Sequence, residues 1–283
     1  MKIIPPIQSS AILGLILLTM QLAVGAQLEI ITNAEPQLAF VGAAKKVTAA
    51  FHNPTDRNIE DGIRTRIFQT SSATAVLLSE SPWKRLQVPA GETVLESATL
   101  DFPIVKAETK FLVQWLENTN RVIGRTEVLA YPTNLLIELG PLAGDEALGV
   151  IDPQNQIRPL LKNLKLEFAD LENSGLENFS GRLAIIGPFQ SKAQMRKGLA
   201  NQIQMLAKKG AAVVWLQPPR TREEKLAPSF YLVSENTNAV VIVQPDLVAD
   251  LPDNPQSQLN LIYFCRLALN PQPPILPDLS PHP

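Results

Sequence analysis

From Gln27 to about Tyr131, apolar positions recur at every second residue. Val47, Ala49 and Phe51 alternate with Thr48, Ala50 and His52, and Ile63, Thr65 and Ile67 alternate with Arg64, Arg66 and Phe68. Phe111, Val113 and Trp115 hold one face against Leu112, Gln114 and Leu116 on the other. Turn signals fall between the runs at Asn53-Pro54-Thr55-Asp56, Asp61-Gly62, Ser81-Pro82, Pro89-Ala90-Gly91 and Glu117-Asn118-Thr119-Asn120. Short alternating strands separated by such turns predict an antiparallel sandwich of two sheets.

After Ala147 the pattern changes. Four apolar runs are each followed by one residue and then a proline: Leu148 to Ile151 with Asp152-Pro153, Leu183 to Ile186 with Gly187-Pro188, Val213 to Leu216 with Gln217-Pro218, and Val240 to Val243 with Gln244-Pro245. Runs without alternation suit strands buried on both faces of a parallel sheet, and a proline, lacking an N–H, stops each strand. Ile157, Leu160, Leu161 and Leu164 recur at helical spacing, and Leu166 with Phe168 predicts a short further strand. Ser191 is placed to cap a helix carrying Met195, Leu199, Ile203 and Leu206, which Gly210 ends. A last helix begins near Pro255 with Leu259, Ile262, Tyr263 and Leu267. The order strand, helix, strand, strand, helix, strand, strand, helix predicts a doubly wound α/β layout, with any ligand at the carboxyl ends of its strands.

Gly140-Pro141 and Ala143-Gly144 break the chain between the two periodicities. The expected division is a leader at 1–26, a β-sandwich at 27–138, an α/β domain at 145–270 and a proline-rich tail at 271–283 without a packed core. Val88-Pro89-Ala90-Gly91-Glu92-Thr93, Leu100-Asp101-Phe102-Pro103 and Phe111 to Trp115 resemble the later strands of immunoglobulin-like or fibronectin-like modules of exported bacterial proteins. Leu183 to Pro188, a helix, and Gly210 to Leu216 resemble the class I glutamine amidotransferase-like fold, which is of flavodoxin-like type. That family carries a nucleophilic cysteine in the turn after the second of these strands. Here the turn reads Gln217-Pro218-Pro219, so the resemblance implies a member without the amidotransferase chemistry. The expected fold class is therefore an all-β immunoglobulin-like sandwich followed by an α/β three-layer, mostly parallel, flavodoxin-like sheet.

The leader sets the expected address. Lys2 precedes an apolar stretch from Ala11 to Leu18, and Ala23-Val24-Gly25-Ala26 offers a small-residue cleavage site after Ala26. The run is too short for a spanning helix, so the mature chain is expected to be periplasmic, on the cell surface or secreted, with no stable membrane span. The formal charge of the whole chain is −2, which gives no electrostatic footprint for nucleic acid. The single cysteine, Cys265, has no partner for an internal disulfide and lies in an apolar helical pattern, which predicts a buried thiol.

The inventory removes most catalytic chemistry. The only histidines are His52, on a predicted sandwich strand, and His282, in the tail. No Cys-His or Ser-His-Asp arrangement, His/Cys metal site, Gly-x-Ser-x-Gly elbow or phosphate-binding loop can be assembled, and no cofactor is called for. Carboxylates are what remains. Asp152 and Asp246 follow strand ends and could act together on a glycoside, or could be turn and cap residues, which aspartate favours there. With Gly187, Gln217, Arg220 and Gln244 they make a candidate ligand edge. Arg220 to Lys225 is either a solvated loop or a lid over it. Trp115 and Trp215 sit within apolar strands, which leaves Trp83 as the candidate exposed aromatic.

These readings converge on an exported, non-catalytic binding or scaffolding protein whose partner is a glycan or another protein. The alternatives are a carboxylate-dependent hydrolase acting on carbohydrate, or an accessory subunit of a glycan-processing enzyme. Binding predicts an exposed apolar or aromatic patch, at Trp83 or across the junction of the two halves.

Overall fold

A computed structural model describes residues 28–32, 35–42, 44–118, 120–218, 230–235 and 238–271. The predicted leader, Arg220 with its loop, and the tail beyond 271 lie outside the described residues.

The first half is built from β1 (Glu29–Ile31), β2 (Gln37–Phe40), β3 (Lys45–His52), β4 (Ile59–Thr70), β5 (Ala75–Val88), β6 (Thr93–Leu100), β7 (Thr109–Glu117) and β8 (Val122–Tyr131). They form a three-stranded sheet in the order β1-β3-β6 and a five-stranded sheet in the order β2-β8-β7-β4-β5. The alternating residues explain why the sheets meet. Val47, Ala49 and Phe51 of one sheet pack in one core with Ile63, Ile67, Phe111, Val113 and Trp115 of the other. The buried Trp115 indole donates from Nε1 to Thr126 Oγ1 at 2.9 Å, so its one polar atom is satisfied.

A 3₁₀ turn, Leu135–Glu138, and α1 (Leu139–Ala143) lead into the second half. It comprises β9 (Leu148–Ile151), α2 (Arg158–Asn163), β10 (Phe168–Asp170), α3 (Leu171–Ser174), β11 (Leu183–Ile186), α4 (Leu199–Lys208), β12 (Ala212–Leu216), β13 (Phe230–Glu235), β14 (Asn238–Val243) and α5 (Pro255–Leu269). The strands form one sheet in the order β10-β9-β11-β12-β14-β13. Val150, Ile185, Val214, Val241 and Val243 pack on one face with Leu261 and Cys265 of α5. Ile186, Val213 and Trp215 pack on the other with Leu199, Ile203 and Leu206 of α4. α5 meets the first half at β2, and its Arg266 pairs with Glu138 of the linking 3₁₀ turn.

The expected fold class is corrected. The described chain is mostly β, 42% strand against 24% helix, so helices are too few for an even α/β half. The first half is no plain antiparallel immunoglobulin sandwich, because β2 pairs in parallel with β8. The second is no flavodoxin-like domain of regular alternation, because β13 closes the sheet as an antiparallel hairpin with β14 and only α4 and α5 reach ten residues.

Local chemistry accounts for the differences. The helix expected from Ser191 is a single 3₁₀ turn, Lys192–Gln194, and α4 starts only after Gly198, whose φ of 85° suits glycine. Lys165, at φ 57°, ends the segment after α2. Asp61-Gly62 and Ser81-Pro82 are not turns but lie inside β4 and β5. Pro82 is tolerated because β5 is an edge strand. Among the described residues no helix is long and apolar enough to cross a membrane.

Candidate functional site

The four proline-terminated strands lie side by side. Ile186 of β11 is level with Ile151 of β9 and with Trp215 of β12, and Leu216 is level with Val243 of β14. All four run parallel, so Asp152, Gly187, Gln217 and Gln244 line one edge. The row is tied across its strands: Gly187 N donates to Ile151 O at 2.8 Å, and Gln217 N to Val243 O at 2.9 Å. Gly187 has φ 101°, and a β-carbon there would run into the Leu216 carbonyl and the Phe189 ring.

Asp152 is fully buried. Its carboxylate accepts from the backbone N–H groups of Gln156 at 3.0 Å, Ile157 at 2.8 Å and Arg158 at 2.8 Å. These are otherwise orphan donors at the start of α2, so Asp152 folds the turn into the helix and its lone pairs are spent there. Arg158 reaches back over the same turn. It donates from Nη2 to the Asp152 carbonyl at 2.7 Å, and it pairs with Asp170 at 3.1 Å and Glu172 at 3.4 Å. Glu172 Oε1 in turn accepts from Asp152 N at 2.9 Å, and Asp170 caps α3 by accepting from Glu172 N at 3.0 Å. The guanidinium thus sits among three acids where a cation would otherwise be needed. Among the described residues no group of three acid, histidine or cysteine ligands is arranged to hold a metal.

Asp246 is elsewhere. It is exposed, in the 3₁₀ turn Pro245–Val248 after β14. β11 and β12 lie between β9 and β14, so three strand spacings of about 4.8 Å separate the two ends by roughly 14 Å. Paired glycosidase carboxylates stand at most about 9.5 Å apart. The two aspartates share an edge and do not form a pair.

The amide end of the row is different. Gln244 is 5% exposed and Trp215 is 8% exposed. The Gln244 Nε2 amide and the Trp215 Nε1–H have no hydrogen-bond partner among the described residues. Residue 215 of β12, 217 just beyond it and 244 just beyond β14 fall on the α4 side of the sheet, since their even-spaced neighbours Val213, Val240 and Ile242 pack there. Gln217 is half-buried beside them. Next along the edge, Gln194 accepts from Gln154 Nε2 at 2.9 Å and from Gln190 N at 2.8 Å, an exposed amide cluster over the ends of β9 and β11.

Trp83 is not a free platform. It is half-buried, stacked on Phe51 at 5.8 Å and edge-on to Trp115 at 5.2 Å, with Lys84 Nζ 4.9 Å above its ring. A bulge in β5 turns it inward: Ile63 is level with Lys84 and Arg64 with Pro82, so Trp83 is the extra residue. A cleft of the first half is lined by Val41, Val105, Pro132 and Ile104, which is 84% exposed, together with Lys106, Thr133 and Asn134, and takes no residue from the second half. Cys265 is buried, and burial pushes its thiol up.

No sequence pattern marked Arg158, Asp170, Glu172 or the cluster of Gln154, Gln190 and Gln194 as part of a site. Asp170 followed by Glu172 carried an N-cap signal that could have found α3. The convergence of these residues on Arg158 depends on β10 pairing with β9, which no local pattern states.

No family model matches the chain. No curated protein matches it. Solved structures match in part: an alkylpurine DNA glycosylase of Pseudomonas fluorescens bound to DNA (12% identity, 38% of this chain and 31% of that one, TM-score 0.28). A β-glucosidase of Listeria innocua with gluconolactone matches at 15% identity over 38% of this chain and 16% of that one, TM-score 0.27. A β-glucosidase of Bifidobacterium adolescentis matches at 16% identity over 37% and 17%, TM-score 0.26. The chain spans less than a third of the length of each, and likeness at this level establishes neither a common fold nor an activity.

Proposed function

We propose that this chain is an exported binding or scaffolding protein, and that its ligand edge is the row of strand ends from Asp152 to Gln244. The observation that carries the reading is the pair of buried donors, Gln244 Nε2 and Trp215 Nε1, left without partners at that edge. A buried unpaired donor costs about 1–3 kcal/mol, and a ligand rich in neutral acceptors removes the cost. Sugar hydroxyls and peptide carbonyls both qualify, which keeps a glycan or an envelope protein as partner. The hydrolase reading is weaker, because Asp152 is committed to three backbone amides and Asp246 stands three strands away.

The test is retention on the immobilised protein. Envelope extract and soluble hexasaccharides of glucose and N-acetylglucosamine are passed over the wild type and over Gln244→Met, which keeps the volume and removes the donor. Retention by the wild type and its loss in the variant is the expected result. No retention of either class, equal retention by both proteins, or release of new sugar reducing ends that Asp246→Asn abolishes, overturns it.

A further inference from the structure

The chain leaves its last helix beside an open aromatic strip. β13 is the outer strand of the six-stranded sheet, and its Phe230 and Leu232 are level with Val243 and Val241 of β14, which face α5. From α5 come Phe264, Leu267, three residues on and so on the same side of the helix, and Tyr263. The rings touch: Phe230 lies 5.2 Å and Tyr263 5.5 Å from Phe264. Phe264 is buried, but Phe230 is 37% and Tyr263 52% exposed, and Leu232 and Leu267 are half-buried. The step from helix to edge strand is thus apolar, aromatic and open to solvent.

The sequence that follows has the complementary pattern. Pro271, Pro274 and Pro277 are three apart, and so are Pro273, Leu276 and Leu279. A polyproline II helix has three residues per turn, so each set makes one apolar face of it. Gln272, Ile275 and Asp278 make the third face, and Asp278 is the one charged side chain of residues 271–279. Aromatic-lined surfaces are what such preformed, low-entropy segments dock on.

We propose that residues 274–279 lie as a polyproline II helix on the strip of Phe230, Leu232, Tyr263 and Leu267 of the same molecule, with Gln272, Ile275 and Asp278 outward. The chain has the reach. α5 runs back from the strand ends, since Ser257 near its start bonds Ala249 and Arg266 near its finish pairs with Glu138. Tyr263 therefore lies about 12 Å back along the helix from Pro271, while residues 272–283 extend over about 37 Å. A tether this short holds the segment at an effective concentration on the order of mM, so a small contact is enough. The strip is on the α5 side of the sheet and Trp215 with Gln244 on the α4 side, so the inference goes beyond the binding reading and does not rest on it.

A nitroxide on Ser280→Cys tests it in the full chain, where the buried Cys265 stays unlabelled. In a methyl NMR spectrum Leu232 is expected to lose most of its intensity and Ile137 to keep its own. Ile137 controls for tethering alone: it is 47% exposed in the 3₁₀ turn that Arg266 reaches, close to where the tail begins and away from β13. Pro274→Gly with Pro277→Gly keeps the tether, removes the polyproline II preference and touches neither core, and is expected to bring the two signals to equal intensity. Tyr263→Ser, at an exposed position, is expected to do the same with an unchanged circular dichroism spectrum. Equal loss at Leu232 and Ile137 in the labelled chain overturns the proposal. So does a difference that survives the glycine variant or Tyr263→Ser, or one that disappears on dilution, which marks a tail from another copy.

Discussion

Replacing Asp152 by alanine separates a structural aspartate from a chemical one. The carboxylate is fully buried and accepts three backbone N–H bonds of 3.0, 2.8 and 2.8 Å. Each bond to a charged acceptor contributes about 1.5–3 kcal/mol, and alanine leaves all three donors without that partner, the Ile157 N–H buried and those of Gln156 and Arg158 partly so. Arg158 loses the most distant of its three carboxylates, Nε to Oδ2 at 3.9 Å, and keeps Asp170 at 3.1 Å and Glu172 at 3.4 Å. Partial relaxation of the turn and solvation of the exposed rim hold the sum well below three full bonds, so the expected loss is about 3–5 kcal/mol. In urea, with a slope of about 1–3 kcal/mol per molar, the midpoint falls by roughly 1–3 M. Far-UV circular dichroism reads the loss, because the helices lie in the same half as Asp152. A loss under about 1 kcal/mol would refute the capping account. So would a variant of normal stability that has lost a measured activity.

Three further outcomes follow from the same packing. Burial, with a hydrogen bond from Tyr131 Oη to Glu108 at 2.9 Å, raises the Tyr131 hydroxyl to about 12. Its pKa is higher in the folded chain, so the stabilisation is full below about pH 10 and is lost as pH rises through 12. An ultraviolet titration should show a tyrosinate step near pH 12 that Tyr131→Phe lacks. Burial also raises the Cys265 thiol, so a thiol reagent at pH 8 should label it only as fast as the chain unfolds, and prompt labelling in the native state would contradict its packing. Gly187→Ala combines a positive φ with a clash against the Leu216 carbonyl, and a loss of about 2–4 kcal/mol is expected in the same urea assay; a neutral result would show that the edge is looser than described.

The local signals in the chain were the ones that could be read. Four parallel strands, β9, β11, β12 and β14, announce themselves as apolar runs stopped by proline, because burial on both faces and the end of the ladder are written within six residues. Asn53-Pro54, Pro89-Ala90-Gly91 and Glu117 to Asn120 mark turns for the same reason, the backbone conformation being set by the residues themselves. Signals with two meanings misled. Asp61-Gly62 and Ser81-Pro82 read as turns, but Gly62 makes room for the Asn118 side chain and Pro82 sits on an edge, both consequences of neighbours distant in sequence. Ser191 with Met195 and Leu199 has helical spacing, yet Gly198 interrupts it. The site shows the same division. That Asp152, Gly187, Gln217 and Gln244 follow strands was legible. That Asp152 is consumed by its own helix, that Arg158 gathers three acids, and that Trp83 turns inward at a bulge are facts of pairing and register.

The central claim is that the row of strand ends is where a partner binds. Hydrogen–deuterium exchange of the wild type, alone and with whatever the immobilised protein retains, tests it most directly. The account predicts slowed exchange confined to the backbone after β9, β11, β12 and β14, around residues 152–158, 187–190, 217 and 244–248. Protection confined to the opposite ends of those strands, or to the first half of the chain, would contradict it.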